Sequence, residues 1–374
     1  MSISFKRVLV DKDNRCEACS VFDINGDGRN EIICGEYWYD YPDGNRHKFC
    51  DVESDENYVW DFSDYPMDVD GDGEMEIITG SWWSEGLFYR KRAKDREMWE
   101  TIKICELTSI ETIRYFDIDG CGTPEIFPNM PGDVVCYFKL NKDEDGKGNG
   151  TFTRYDISSD NANHGLGFGD VTGNGKTDIL LSDGWLEQPE DVYSAGWTRH
   201  YSWNIPMASV PVLAHDITGN GRNDIIIGAA HNYGLWWLEQ LCEGDDAEPR
   251  FELHEIDMSC SQYHDMQLVD VDGDGEKELI TGARFFAHNG NDPGERNPDT
   301  GEPNPIGTYV FKLKKDPEAE GGVRFEKNVL DLGSPDSTSG TGIYFWVQDM
   351  NGNGKPDIIC PGKEGLYVFI NECE

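Results

Sequence analysis

The stretch DVDGDGEMEIITG, residues 68–80, decides the fold class because it joins an acidic turn directly to a β-branched run. Oxygen-bearing side chains stand at positions 1, 3 and 9, usually also at 5, and glycine stands at 4 and 6. Copies of this pattern begin at seven places, namely Asp23, Asp68, Asp117, Asp170, Asp216, Asp270 and Asp349. Self-similarity with a period of several tens of residues indicates a repeat architecture.

Each acidic turn lies between two apolar, strand-like runs, and no helical pattern flanks it. The spacing of the copies is typical of a four-stranded propeller blade. The chain begins with FKRVLVD (5–11), which resembles a fourth strand, and ends with GLYVFIN (365–371), which resembles a third. We therefore predict an all-β protein with a single domain over residues 1–374. We expect a seven-bladed β-propeller with acidic loops between strands A and B, whose ring is closed by the N-terminal strand.

The acidic loops suit a hard divalent cation, because carboxylate and amide oxygens at alternating positions can converge on one ion. We expect Ca²⁺ or Mg²⁺ there, and the alternative is a set of acidic turns without an ion. Cys121 replaces an oxygen ligand in the third copy, which should bind weakly or not at all. The predicted ligands in the other six loops are Asp23, Asn25, Asp27, Glu31, Asp68, Asp70, Asp72, Glu76, Asp170, Thr172, Asn174, Asp178, Asp216, Thr218, Asn220, Asp224, Asp270, Asp272, Asp274, Glu278, Asp349, Asn351, Asn353 and Asp357.

The amino-acid composition limits the classes of partner that we expect this protein to bind. The net charge of −40 and the pI near 4.3 disfavour nucleic acid and anionic membranes. No apolar run is long enough to span a bilayer. The N-terminus MSISFKRVLVDKD lacks a secretory pattern, so we expect a cytoplasmic protein, or a secreted one if a signal was removed. The 11 cysteines, an odd number without paired spacing, indicate reduced thiols.

A ligand site is expected at the ends of the strands opposite the acidic loops. Six residues before each first Asp stand Glu17, Phe62, Glu111, His164, Val210, His264 and Ile343. The ends of the second strands carry Tyr37, Trp82, Trp185, His231, Tyr233, Arg284 and His288, among others. Carboxylates, imidazoles, an arginine and indoles are therefore predicted to share one rim.

The residue types on this rim favour a carbohydrate, either a small molecule or an oligosaccharide. As a hypothesis, His164, His231 and His264 hold Zn²⁺, Mn²⁺ or another divalent ion that acidifies a C–H bond beside a carbonyl or carboxylate. Tyr233, His288 or Glu111 would act as base or acid, and Arg284 would pair with an oxyanion. Substrate contacts are expected from Trp82, Trp185, Glu17 and Tyr37.

The repeats resemble the FG-GAP/VCBS type of β-propeller over the whole chain. More closely, NHGLGFGDVTGNGKTDILLSDGWLEQP, GAAHNYGLWWLEQ, SQYHDMQLVDVDGDG and GARFFAHNGNDPGE resemble the propeller domain of aldos-2-ulose dehydratase and related bacterial carbohydrate lyases. The resemblance implies metal-assisted removal of water from a keto-sugar such as 1,5-anhydro-D-fructose. The matching stretches carry His164, Trp185, His231, Tyr233, His264, Arg284 and His288. This chain has no room for the isomerising domains of the fungal enzyme, so only the propeller's own step is expected.

Two alternatives remain open. Similar propellers serve as polysaccharide lyases, which makes uronic-acid glycans possible substrates. A non-catalytic, cation-stabilised propeller that binds glycans or proteins would instead repeat its aromatic sites on most blades. Here the predicted rim residues differ from blade to blade, which favours one asymmetric central site. The oligomeric state is left open.

Overall fold

The computed structural model describes residues 2–55, 58–93, 97–241, 248–287 and 293–373. Within these residues the regular structure consists of 28 β-strands and two short 3₁₀ turns, at Pro293–Glu295 and Glu320–Gly322, without any α-helix. The all-β prediction is confirmed. No helix in the described part of the chain is long and apolar enough to cross a membrane.

The strands form seven antiparallel units of four. The seventh unit combines β1 (Phe5–Asp11) with the last three strands of the chain. The first three units contain β2 (Ser20–Phe22), β3 (Glu31–Cys34), β4 (Tyr37–Tyr39) and β5 (Arg46–Lys48); β6 (Tyr65–Met67), β7 (Glu76–Gly80), β8 (Leu87–Lys91) and β9 (Glu100–Cys105); and β10 (Thr112–Phe116), β11 (Glu125–Asn129), β12 (Val134–Lys142) and β13 (Gly148–Asn161).

The remaining units follow the same order of first, second, third and fourth strand. They contain β14 (Leu166–Gly169), β15 (Asp178–Leu181), β16 (Gly184–Glu187) and β17 (Thr198–Tyr201); β18 (Val212–His215), β19 (Asp224–Gly228), β20 (Tyr233–Leu241) and β21 (Arg250–Ser261); β22 (Tyr263–Val269), β23 (Glu278–Ala283), β24 (Ile306–Lys315) and β25 (Val323–Gly333); and β26 (Trp346–Gln348), β27 (Asp357–Gly362) and β28 (Gly365–Asn371).

The units make five four-stranded sheets and one curled sheet of eight strands. In the eight-stranded sheet, the fourth and fifth units are joined by short parallel pairing between β14 and β18. The chain's first strand, β1, pairs antiparallel with β28, with Phe5 opposite Asn371. The N-terminal strand therefore completes the last sheet, as the sequence predicts.

Each acidic loop connects the first and second strands of a unit. In the first loop, the Asp23 carboxylate accepts hydrogen bonds from the backbone N–H groups of Gly26 at 2.7 Å and Gly28 at 2.8 Å. Both glycines have positive φ, +78° and +88°, a conformation that disfavours other residues. The closing Glu31 accepts a bond from the backbone N–H of Ile24 at 3.1 Å. The spacing of acids and glycines thus sets the hydrogen bonds that shape the turn.

The first strands of successive units lie next to each other. The contacts involve these strands and the residues just before them. Ser63 Oγ lies 2.7 Å from Tyr115 Oη, and Phe116 stacks on Phe168 at 4.7 Å. The backbone N–H of Val210 donates to His264 O at 2.9 Å, that of Phe345 to Asp265 Oδ2 at 2.9 Å, and that of Cys19 to Tyr344 O at 3.1 Å. Side chains between adjacent sheets form the core; Ile78 of the second unit, for example, packs in one cluster with Ile113 and Ile126 of the third. A cavity of about 510 Å³ is lined mainly by first-strand residues of six units.

Candidate metal centre

Four buried residues, one from each of four successive units, converge at the ends of the strands opposite the acidic loops. Glu111 immediately precedes the first strand β10, and His164 lies just before the first strand β14. His264 is the second residue of the first strand β22. His231 follows the second strand β19. None of the four is more than 6% exposed. The structure therefore brings together the three histidines and the glutamate that the sequence places on one rim.

The donor atoms of these residues surround one point. Glu111 Oε1 lies 2.9 Å from His264 Nε2, 3.2 Å from His164 Nε2 and 3.8 Å from His231 Nε2. The Nε2 atoms of His164 and His231 are 3.0 Å apart. Ligands at zinc–nitrogen and zinc–oxygen bond lengths in a tetrahedron are about 3.3 Å apart. The three imidazole nitrogens and one carboxylate oxygen thus fit a dication with little movement.

Hydrogen bonding orients one of these imidazoles for ligation. His164 Nδ1 lies 2.5 Å from the carbonyl oxygen of Ala208, so this nitrogen carries the proton and donates it. The lone pair of His164 is then on Nε2, which faces the other donors. A backbone carbonyl behind a ligating histidine is a common way to hold the ring orientation. His264 Nδ1, by contrast, is buried without a hydrogen-bond partner.

The charge state of the cluster also suits a metal. Burial lowers the pKa values of His164 and His264 below the usual range for histidine, although Glu111 opposes the change. Burial alone would raise the pKa of Glu111, but the three neighbouring imidazoles outweigh it and hold that pKa well below its usual range. Neutral imidazoles and an ionised carboxylate are the forms that coordinate a dication.

A second buried cluster adjoins the first. The Glu17 carboxylate pairs with Arg284 through two contacts of 3.2 Å and also accepts a hydrogen bond from Lys363 Nζ. Arg284 and Lys363 lower the pKa of Glu17 against the effect of its burial. Burial lowers the pKa of Lys363 to about 8, and Arg284 Nη1 is buried without a partner. This side of the centre therefore offers a free guanidinium donor and an amine that titrates near neutral pH.

Gln262 is a residue that the sequence reasoning missed. Its φ of +63° is unusual for a residue other than glycine, and both atoms of its side-chain amide are buried without a partner. Its carbonyl accepts hydrogen bonds from the backbone N–H groups of His264 at 2.9 Å and Arg284 at 3.4 Å. The strained backbone thus holds the two neighbouring site residues in place. A single glutamine carries no spacing pattern, so the sequence offered no signal for it.

Several predicted site residues lie elsewhere. Trp185 is 1% exposed and packs between His200, at 4.7 Å, and Trp203, at 5.9 Å. Its ring has no open face, so the structure does not support the sugar platform expected there. Trp185 lies on the third strand of its unit, β16, and its side chain packs into the core. Tyr233 is half-buried and donates its hydroxyl proton to Asn304 at 2.7 Å, and it is not one of the four residues whose donor atoms meet at the centre.

Two other predicted substrate contacts, Trp82 and Tyr37, are only partly enclosed. Trp82 is half-buried against the cluster of Tyr58, Phe62 and Ile343. Tyr37 lies at the start of β4, where Arg46 covers its ring at 4.9 Å. His288 falls outside the described residues.

Lysines change the interpretation of three acidic loops. Lys312 of β24 contacts Asp272, Asp274 at 2.6 Å and Glu278 at 3.2 Å. Equivalent contacts come from Lys91 to Asp70, Asp72 and Glu76, and from Lys139 to Asp119 and Glu125. The two loops with four carboxylates each, which begin at Asp68 and Asp270, therefore already hold an ammonium group between their carboxylates. The lysines end the third-strand runs GLFYRK, VVCYFK and TYVFK, so the signal was present in the sequence.

Acidic groups close enough to hold a metal include Asp68 with Asp70 and Glu76, and Asp117 with Asp119 and Cys121, but Lys91 and Lys139 already contact them. Bound cations in the loops that begin at Asp23, Asp170, Asp216 and Asp349 stay a prediction. The ten cysteines of the described residues form no disulfide, in agreement with reduced thiols.

No protein-family model and no curated protein matches this chain. The resemblance to FG-GAP/VCBS propellers and to aldos-2-ulose dehydratase therefore remains an expectation from the quoted motifs. The functional case depends on the geometry of the site.

Proposed function

We propose that the seven units close into a seven-bladed β-propeller. Contacts between successive first strands support this arrangement, and the bond from Cys19 to Tyr344 connects the last unit to the first. A cavity lined by first strands is what the central channel of a propeller requires. The pairing of β1 with β28 leaves no unit with only three strands.

On this fold we propose a metal-assisted β-elimination from a sugar, with dehydration of a keto-sugar such as 1,5-anhydro-D-fructose as the first candidate. The observation that carries the proposal is the convergence of Glu111, His164, His231 and His264 in one buried group. A divalent ion bound there would polarise a carbonyl oxygen and acidify the adjacent C–H bond. A solely structural ion would not require the unsatisfied polar groups beside it.

The chain's own residues supply the remaining functions. Arg284, whose Nη1 has no protein partner, would donate a hydrogen bond to the oxygen on which negative charge develops. Lys363 would accept the proton in its neutral form, because a pKa of about 8 makes that form accessible near neutral pH. Glu17, which contacts both Arg284 and Lys363, would keep these two side chains at a fixed separation.

Elimination from a uronic-acid glycan is the second candidate. It is favoured by the same unpaired donor of Arg284, because a planar guanidinium suits a substrate carboxylate. In both reactions a proton leaves the carbon next to a carbonyl or carboxyl group, and an oxygen leaves the neighbouring carbon. The two candidates differ in whether the substrate carries a charge.

Ultraviolet absorbance of the new double bond tests the proposal. Wild-type protein loaded with Zn²⁺ or Mn²⁺ is expected to act on 1,5-anhydro-D-fructose, or on polygalacturonate if the second candidate is correct. The double variant His164→Ala, His264→Ala should lose activity by at least about a hundredfold, as metal-centre changes commonly do. His47→Ala is the matched control, because His47 lies on the outer strand β5. Equal rates in the double variant and the wild type would exclude these imidazoles from the reaction.

A further inference from the structure

A second cavity, which we name the aromatic cleft, lies beside the first two units. Its volume is about 270 Å³, and its walls include Trp60, Trp83 and Phe88. Ligand pockets start at about 300 Å³, so this volume suits one small ring rather than a long chain. None of these three residues belongs to the metal centre.

The walls of the cleft expose flat aromatic surface. The rings of Trp60 and Trp83 are 6.0 Å apart and inclined by 27°, and both residues are only partly buried. Indole rings offer a large apolar surface together with one polar N–H group. Such surfaces fit the C–H faces of a pyranose ring.

The floor of the cleft contains hydrogen-bond donors without partners. Arg90 is 3% exposed, and its Nη1 donates to Asp61 at 2.8 Å and to Asp64 at 3.0 Å. Arg90 Nε is nevertheless buried without an acceptor, and so is Nε1 of Trp60. Leaving a buried donor unsatisfied costs about 1–3 kcal/mol. A ligand with hydroxyl oxygens would bring acceptors to the two residues that carry these donors, whereas a purely apolar ligand would not.

The charged residues of the aromatic cleft limit the class of ligand that it can bind. The two carboxylates of Asp61 and Asp64 compensate the guanidinium of Arg90, so the floor has no positive charge left for an anion. Asp51 and Glu53 add exposed carboxylates at the rim. Acidic groups accept hydrogen bonds from sugar hydroxyls but repel phosphates and carboxylates. The cleft therefore favours an uncharged ligand.

A continuous set of contacts links the cleft to the cluster of Glu17 and Arg284, which adjoins the metal centre. The ring of Trp83 lies 4.7 Å from that of Tyr58, and the Lys363 ammonium lies 4.2 Å from the Tyr58 ring. Lys363 in turn bonds Glu17, which pairs with Arg284. The cleft thus lies on the same side of the protein as the candidate reaction site.

We propose that the aromatic cleft binds an uncharged sugar ring of an oligosaccharide whose neighbouring unit reaches the metal centre. The second half of this statement rests on the proposed function, whereas sugar binding in the cleft does not. The substrate would then span at least two sugar units, and a free monosaccharide would use only part of the available binding surface.

Isothermal titration tests the cleft directly, with cellotetraose, xylotetraose and mannotetraose as neutral probes and tetragalacturonate as the charged one. At least one neutral probe is expected to bind, and Trp83→Ala should weaken its binding by about tenfold or more. Thr101→Trp, which places a bulky ring at the exposed rim of the cleft, should do the same without altering the floor. Trp38→Ala is the matched control, since Trp38 stacks on His47 and is not one of the residues that line the cleft.

The outcomes separate the two proposals. Neutral-probe binding that persists in the His164→Ala, His264→Ala variant supports the cleft even if no elimination is detected. The cleft is overturned if no neutral probe binds, or if Trp83→Ala and Thr101→Trp bind as wild type does. Tighter binding of tetragalacturonate that depends on Trp83 would overturn the assignment to an uncharged sugar.

Discussion

Lys312 is predicted to act as an internal cation in the sixth acidic loop. Its side chain is 8% exposed and contacts Asp272 and Glu278, whose side chains are 0% and 1% exposed, as well as Asp274. Replacing Lys312 by glutamine leaves these carboxylates close together without a compensating charge. Removing one partner of a buried ion pair costs about 3–5 kcal/mol. Because Asp274 is partly exposed, we expect Lys312→Gln to lower the free energy of unfolding by the lower end of this range, about 3 kcal/mol.

Thermal unfolding measures this effect. For a chain of this length, about 3 kcal/mol corresponds to a fall in Tm of about 4 °C, if unfolding is cooperative. With EDTA present, Lys312→Gln should show the full loss. A calcium concentration one hundred times the dissociation constant should recover about 2.7 kcal/mol, because the freed carboxylates can then bind the ion.

Lys315→Gln is the matched control, since Lys315 lies on the same strand and is exposed. Calcium binding by equilibrium dialysis should rise by one ion per chain in Lys312→Gln but not in the control. An unchanged Tm in EDTA, or calcium stabilisation no larger than in the wild type, would refute the internal-cation interpretation.

The remaining predictions concern the interior. If Lys363 is the base, activity should rise with pH through about 8, because the amine must lose its proton, and Lys363→Met should abolish that limb of the profile; an unaltered pH profile would argue for another base. Arg284→Lys should lower kcat/KM by about tenfold to a hundredfold while the metal content stays constant, since lysine keeps the positive charge but lacks the planar, forked set of guanidinium donors. Unchanged kinetics would contradict a role of Arg284 in binding the oxyanion. Trp185→Ala should destabilise the protein by about 3–5 kcal/mol, measured by urea unfolding, because it opens a cavity beside His200; loss of substrate affinity at unchanged stability would restore the sugar-platform role.

Much of the fold could be predicted from the alternation of strand-like runs and the spacing of the acidic loops. Apolar runs such as EIITG and DIIIG become buried second strands, and the terminal runs at Phe5 and Gly365 pair as expected. Counting back from each acidic loop also located Glu111, His164 and His264, because residues at equal distance from a shared turn lie at the same depth in each unit.

Side-chain direction at the strand ends was harder to predict. Trp185 and His231 both follow second-strand runs, yet one packs into the core and the other faces the centre. The outcome depends on neighbouring sheets that a single repeat does not specify. Likewise, the positive φ of Gln262 arises from tertiary packing and leaves no pattern in the sequence.

Metal analysis of the purified protein tests the central claim most directly. After removal of bound metal and reloading with equimolar Zn²⁺ or Mn²⁺ in excess calcium, mass spectrometry should find one transition-metal ion per wild-type chain. The Glu111→Ala, His264→Ala variant should retain none, while the calcium content of the two proteins stays equal. Equal transition-metal content in both proteins, or none in the wild type, would contradict a metal centre at these four residues.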